Sequence, residues 1–208
     1  MNVRRAALLE ELSSSISRCR DCPLSSERAN AVPGEGDPSA WIMLIGEAPG
    51  AKEDREGRPF VGSAGKLLDE LLAGAGVERE SVYITNILKC RPPGNRDPRK
   101  AEISACRPHL EAQIRLLDPR VVCTLGRVAL KVLLGKASIR KCRGKPAFMG
   151  GRLYLPTLHP AACLYDPRTK DLLLSDFRLL GRLVAGGPEE VERRLARETG
   201  LRTIDSFL

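Results

Sequence analysis

Four side chains stand where a chemical site can form: Glu47, Phe60, Asn86 and His159. They supply a carboxylate, an aromatic ring, an amide and an imidazole, the group types from which ligand-binding and acid–base sites are built. Glu47 lies in GEAPGAKEDREGRPFVGSAG, from Gly46 to Gly65, directly after the apolar run Trp41-Ile42-Met43-Leu44-Ile45. That run reads as a buried strand stopped by a glycine and a Pro-Gly turn, so the carboxylate sits where open α/β sheets hold their ligands. Phe60 is on the same loop, between Pro59 and Gly62. Asn86 closes a second strand-like run and His159 a later one. Each has a plain structural explanation: a turn cap for Glu47, a backbone bridge for Asn86, a half-buried imidazole for His159, a core ring for Phe60. Their matched positions at strand ends favour one shared site.

The chain holds 7 cysteines, and an odd count with no secretion signal argues against a disulfide framework. Cys19 and Cys22 form C-x-x-C just before Pro23, and Cys90 and Cys106 make a second, wider pair. Four thiolates suit structural zinc or an iron–sulfur cluster, and spacing does not choose between them. Cys123, inside VVCTL, and Cys163, after small alanines, read as small hydrophobes, whereas Cys142 among Arg140, Lys141 and Arg143 reads as an exposed thiol.

The elements that must carry these groups follow from periodicity. Residues 5–18 place Leu8, Leu9, Leu12 and Ile16 on one helical face leading into the first cysteine pair. Residues 23–40 read as a loop and 41–46 as the first strand. A helix starts at Gly65, bears Leu67, Leu68, Leu71 and Leu72, and ends at Gly74 and Gly76. The second strand covers 81–85. After the loop 91–97, a helix from Pro98 carries Ile103, Cys106, Leu110, Ile114 and Leu117 on its inward stripe. The third strand is 120–125, Gly126 opens a helix through Leu134, and 135–151 is a basic loop. The fourth strand, 152–157, runs into Leu158-His159-Pro160-Ala161-Ala162, and helices at 169–185 and 188–199 close the chain. Strands alternating with helices predict a mostly parallel sheet covered on both faces.

At 208 residues, 42% hydrophobic and 29% charged, the chain reads as one soluble domain with a full core. It has no apolar run of membrane-spanning length, and its N-terminus lacks the apolar core of a signal peptide, so an intracellular protein is expected. The net charge of +8 and pI near 9.3 favour a polyanionic partner. Between Pro119 and Tyr165 there is no Asp or Glu but nine Lys or Arg, which points to nucleic acid. Gln113 is the only glutamine, and scarce amides are a trait of thermophile proteins.

GEAPG, GRPFVGSAG, TNILKCRPPGNRDP, CRPHL and TLHPAA together resemble the family 4 uracil-DNA glycosylases, the iron–sulfur type of archaea and bacteria. The likeness spans Cys19 to Asp166. It implies a three-layer αβα sandwich on a central four-stranded parallel sheet, and a [4Fe–4S] cluster on Cys19, Cys22, Cys90 and Cys106. It implies hydrolysis of the glycosidic bond of a flipped uracil in DNA, leaving an abasic site for base excision repair. Phe60 would stack on the base, Asn86 would read its Watson–Crick edge, and His159 would donate to uracil O2 in the leaving anion. Glu47 would position or deprotonate water, while backbone at Gly46 and Ala48 lines the pocket. Related families carry their Asp or Asn one position later, where this chain has Ala48. Pro49-Gly50, Ser63-Ala64-Gly65 and Pro160-Ala161-Ala162 would approach DNA phosphates, and Arg and Lys of 136–145 would add salt-sensitive affinity. His109 reads as structural.

The tail, Leu201 to Leu208, resembles a sliding-clamp (PCNA) binding peptide with Leu201 in place of the usual Gln, attached to a single domain over 1–200. A monomeric, nucleoid-associated enzyme is the expectation. The competing readings are a non-catalytic iron–sulfur DNA-binding module and a glycosylase of the same fold for another deaminated base.

Overall fold

Ile42–Gly46 is buried along its whole length, as a strand covered on both faces must be. Its alternate side chains divide the interior. Ile42 and Leu44 join one apolar cluster, Met43 and Ile45 the other. In the computed structural model, which describes residues 2–198, this strand is β2 of a six-stranded sheet. The others are β1 (Glu35–Gly36), β3 (Tyr83–Asn86), β4 (Val121–Leu125), β5 (Ala147–Met149) and β6 (Arg152–Thr157), in the order β1-β3-β2-β4-β6-β5. β2 pairs parallel with β3 and β4, and β4 parallel with β6, while β1 and β5 are short antiparallel edges.

The expected four strands are therefore six. The extra two fall in stretches read as loops, because two or three residues are too few to show a periodic pattern. Helices differ similarly: Ala51–Glu56 (α2) forms inside the Gly46–Gly65 stretch, α3 starts at Ser63 and runs to Gly74, and α4 covers Lys100–Leu117. The basic loop holds α6 (Ile139–Cys142), after α5 (Arg127–Leu134).

One sheet face is covered by α3 through Leu68, Leu71 and Leu72 and by α8 (Thr169–Val184) through Leu173, Phe177 and Leu180, with Val191 of α9 (Gly187–Glu198) at the margin. The other is covered by Leu9 of α1 (Asn2–Arg18), Leu110 and Leu117 of α4 and Ala129 of α5. A short α7 (Ala162–Tyr165) follows β6. Among the described residues no helix is long and apolar enough to cross a membrane.

This layering aligns the carboxyl ends of β2, β3 and β6. Gly46 is paired with Asn86, and Leu125 at the end of β4 with Thr157. The ladder continues past the strands, with Ile87 N donating to Gly46 O at 2.9 Å and Leu88 N to Glu47 O at 3.0 Å. The other anchor is α3, whose first turn lies against the Phe60 backbone: a Cβ on Gly65 would stand 1.8 Å from Phe60 O. We expect Gly65→Ala to cost about 1–3 kcal/mol through this overlap. Thermal or denaturant unfolding would measure it, and an unchanged midpoint would refute the close contact.

Candidate active site and cysteine pocket

Glu47, Ala48, Phe60, Asn86 and His159 line one cleft of about 730 Å³ at the carboxyl edge of the sheet. That volume is ample for a small-molecule-sized group. Gly46 lies beneath it rather than on its wall. A Cβ at Gly46 would meet Asn86 Oδ1 at 2.3 Å and Phe60 Cζ at 2.8 Å, so only glycine lets the amide and the ring come together here.

Phe60 is 5% exposed and holds φ at 53°, a left-handed conformation uncommon for a residue with a side chain. Such a backbone costs roughly 1–2 kcal/mol and persists where its surroundings impose it. Glu53 imposes it here. Its Oε1 accepts from Val61 N at 3.0 Å and Gly62 N at 2.9 Å, clamping the loop and capping the start of α3. Sequence reasoning missed Glu53, because α2, which presents it, is a single short helix in a glycine-rich stretch.

The Phe60 ring stacks on His159 with centroids 5.6 Å apart and planes at 27°. His159 Nδ1 accepts from Ala161 N at 3.2 Å, which places the imidazole proton on Nε2. Burial pushes the His159 pKa down to about 4, against a weak opposing pull from Glu53, so the ring is neutral at pH 7. Gly126, with φ at 94°, leaves room for it, since a Cβ there would lie 3.0 Å from His159 Cβ.

Asn86 is 2% exposed, and its Oδ1 is buried without a hydrogen-bond partner among the described residues. Buried polar atoms are nearly always paired, so an acceptor left open in a cleft marks a place for a donor. Glu47 is half-buried. Burial, then the negative charge of Asp97, raises its carboxyl above the ordinary range, with Arg127 opposing. Leu164 and Tyr165, 57% and 89% exposed, put two large apolar side chains at the rim.

The second assembly lies on the other side of the Glu47–Ala48 turn. Cys19, Cys22, Cys90 and Cys106 line one small pocket with Arg28, Lys89 and His109. All are free thiols. Arg28 Nη1 donates to Cys90 Sγ at 2.9 Å and Lys89 N to Cys106 Sγ at 3.3 Å. Burial raises the Cys19 and Cys90 thiols and lifts Cys106 to about 11, so a soft metal binding here must displace protons. His109, read from sequence as structural, lines this pocket: its Nε2 is buried with no hydrogen-bond partner among the described residues, and it groups with Cys19 and Asp21 within 4.8 Å. Four convergent thiols with N–H donors to sulfur fit a thiolate-held metal centre. Ala48 packs against the Leu24–Leu88–Cys90–Cys106 cluster, so the pocket supports the turn that bears Glu47.

Of the remaining cysteines, Cys123 is buried in β4 as expected. Cys142 and Cys163 are partly exposed, and Cys163 accepts from Thr169 Oγ1 at 3.2 Å.

A mixed sheet whose parallel core ends in a carboxylate, an amide with an open acceptor and a neutral imidazole carries the groups of a hydrolytic site. The family model described as "Uracil DNA glycosylase superfamily" matches residues 33–178. A type-4 uracil-DNA glycosylase of Sulfurisphaera tokodaii is 46% identical over 210 residues, covering 96% of this chain and 90% of that protein. Two proteins of Pyrobaculum aerophilum separate the subfamilies: its type-4 uracil-DNA glycosylase is 44% identical over 82% of this chain, its type-5 uracil-DNA glycosylase 30% identical over 96%. The chain belongs to the uracil DNA glycosylase superfamily and, within it, to the type-4 uracil-DNA glycosylases.

The imidazole state is directly measurable. By NMR, His159 should stay neutral with its proton on Nε2 down to a pH near 4. Titration at or above the ordinary value of about 6.5 would contradict the burial that sets it.

Proposed function

We propose that this chain hydrolyses the N-glycosidic bond of uracil in DNA, releasing the base and leaving an abasic site. The observation that carries the reading is the open acceptor of Asn86, buried beside the Phe60–His159 stack. The glycosidic carbon is out of reach in a stacked duplex, so the nucleotide must swing into the cleft. There the base stacks on Phe60. Asn86 Oδ1 accepts from uracil N3–H and its Nδ2 donates to O4, a pattern that cytosine, with an acceptor at N3 and an amine at C4, does not match. Neutral His159 donates from Nε2 to O2 as the bond breaks and charge builds on the base. One such donor is worth about 2.7–4 kcal/mol in comparable sites.

Glu47 holds the water that attacks the sugar carbon, and its proximity to that carbon rather than strong basicity is its contribution. Backbone at Gly46 and Ala48 shapes the pocket around the ring. Pro49, Gly50, Ser63, Ala64, Ala161 and Ala162 border the cleft on small-residue loops that DNA phosphates can approach. The basic arm 136–145 adds salt-sensitive, sequence-independent affinity for DNA phosphates. It is braced by Arg143, which donates to buried Asp176 and to Leu172 O, and by Gly144 N donating to Pro156 O at 2.9 Å.

Cys19, Cys22, Cys90 and Cys106 are the ligands of a [4Fe–4S] cluster in this reading. Held by these four thiolates, a cluster would tie the end of α1, the segment after β3 and α4 into one unit. The expected clamp-binding tail at 201–208 lies outside the described residues, and we propose it as a contact to a sliding clamp by an intracellular, monomeric enzyme with one domain over 1–200.

The test is release of base from oligonucleotides carrying uracil, hypoxanthine or thymine opposite guanine. Abasic sites at uracil are expected, and their absence would overturn the proposal. Protonation of Glu47 removes its water-binding form, so single-turnover rates should fall as pH drops through its raised pKa and level off above it. Glu47→Gln should slow the reaction on the order of 10²–10⁴-fold and abolish that acid limb; a limb that survives assigns it to another group. For the cysteines, purified protein should be brown, and Cys90→Ser should lower the iron bound per chain. Full iron in that variant would remove Cys90 from the ligand set.

A further inference from the structure

Lys89 is 1% exposed, among the largest fully buried side chains of the protein. Its Nζ donates to Thr85 Oγ1 at 2.6 Å, to Asn86 O at 2.8 Å and to Gln113 Oε1 at 2.6 Å. Three donors thus meet three neutral oxygens, and none of the partners is a carboxylate. Placing an ammonium in the interior on such terms is costly compared with an apolar side chain of the same volume. Core filling alone does not account for it.

The partners show what it holds. Gln113, on α4, passes the constraint on, donating from Nε2 to Pro33 O at 2.7 Å and to Tyr83 OH at 3.2 Å. Thr85 Oγ1 also donates to Pro33 O at 2.7 Å. The carboxyl end of β3 is thereby fixed to α4 and to the segment before β1 through one side chain. At the other end, Lys89 N donates to Cys106 Sγ, Lys89 O accepts from Val32 N at 2.7 Å, and Cys90 is the next residue. The lysine's own main chain is part of the cysteine pocket's wall, while its ammonium grips the carbonyl of the residue whose amide opens into the cleft.

We propose that Lys89 is a positioning residue that, with Gln113, holds the backbone of Asn86 so that its amide faces the cleft, and that it links this placement to the cysteine pocket. The inference rests on the reading of Asn86 as the base-recognising amide. Lys89 touches no substrate. Its effect on the reaction passes through Asn86, which separates it from a residue that merely stabilises the fold.

Lys89→Met keeps the volume and removes the donors. Its effect should appear as a roughly 10–100-fold loss in single-turnover uracil release. Iron per chain and affinity for abasic-site DNA, which offers Asn86 no base, should stay as in the parent. The deciding comparison is the double variant. In an Asn86→Ala background, Lys89→Met should cost nothing further, within about a factor of two. An equal fold-loss in both backgrounds, or a matching loss of abasic-site affinity, overturns the proposal. If Lys89→Met fails to fold or to bind iron, Gln113→Met, remote from the cysteine loop, removes one of the ammonium's three acceptors and its tie to α4, and is judged by the same comparison. A normal rate for Asn86→Ala alone would instead overturn the base-reading role, and is told apart by that single variant.

Discussion

At the carboxyl end of the central strand there is no space for a β-carbon. Gly46 has the Asn86 side-chain amide oxygen and the Phe60 ring where its side chain would be, and everything in the cleft follows from that contact. The amide and the ring come from different elements, β3 and the loop after α2, and they converge because the residue between them has no side chain. A second close approach, Gly65 against the Phe60 carbonyl, sets where α3 begins. Between these two glycines, Phe60 takes its left-handed backbone, and the Glu53 carboxylate satisfies the two amides that this conformation exposes. Local strain is held by close packing on both sides.

Burial then tunes the groups. The same desolvation lowers the His159 pKa to about 4 and raises that of Glu47, and in both cases it favours the neutral form. A neutral imidazole keeps Nδ1 as the acceptor for Ala161 N, which leaves its proton pointing from Nε2. An imidazolium would lose that anchor. The cysteine pocket and the cleft are not separate modules. Ala48 packs on the cysteine cluster, and Lys89 joins the cluster's wall to the backbone of Asn86.

The parallel pairing and the convergence of Glu47, Asn86 and His159 were legible because each follows an apolar run of strand length, and such runs stop at the sheet's carboxyl edge. Phe60 was legible from its position among glycines and prolines. The short edges β1 and β5, the single-turn α6 and the six-residue α2 were not, because segments that short carry no periodicity and form only when neighbours supply their hydrogen bonds. Glu53 was missed with α2. Lys89 and Gln113 were hidden differently: lysine and glutamine are mostly exposed in folded proteins, and nothing in residue type or spacing marks these two as buried.

What the sequence determined by itself is the set of reactive groups, the order of strands and helices that carry them, and the four cysteines able to share a metal centre. These depend on residue type and spacing, which the linear chain contains. The tertiary structure decided which groups touch. It left Asn86 Oδ1 without a partner, chose the His159 tautomer, drew His109 into the cysteine pocket and turned Lys89 inward. Those outcomes depend on desolvation and on contacts between residues tens of positions apart, such as Gly46 with Asn86, and neither quantity exists until the sheet has closed.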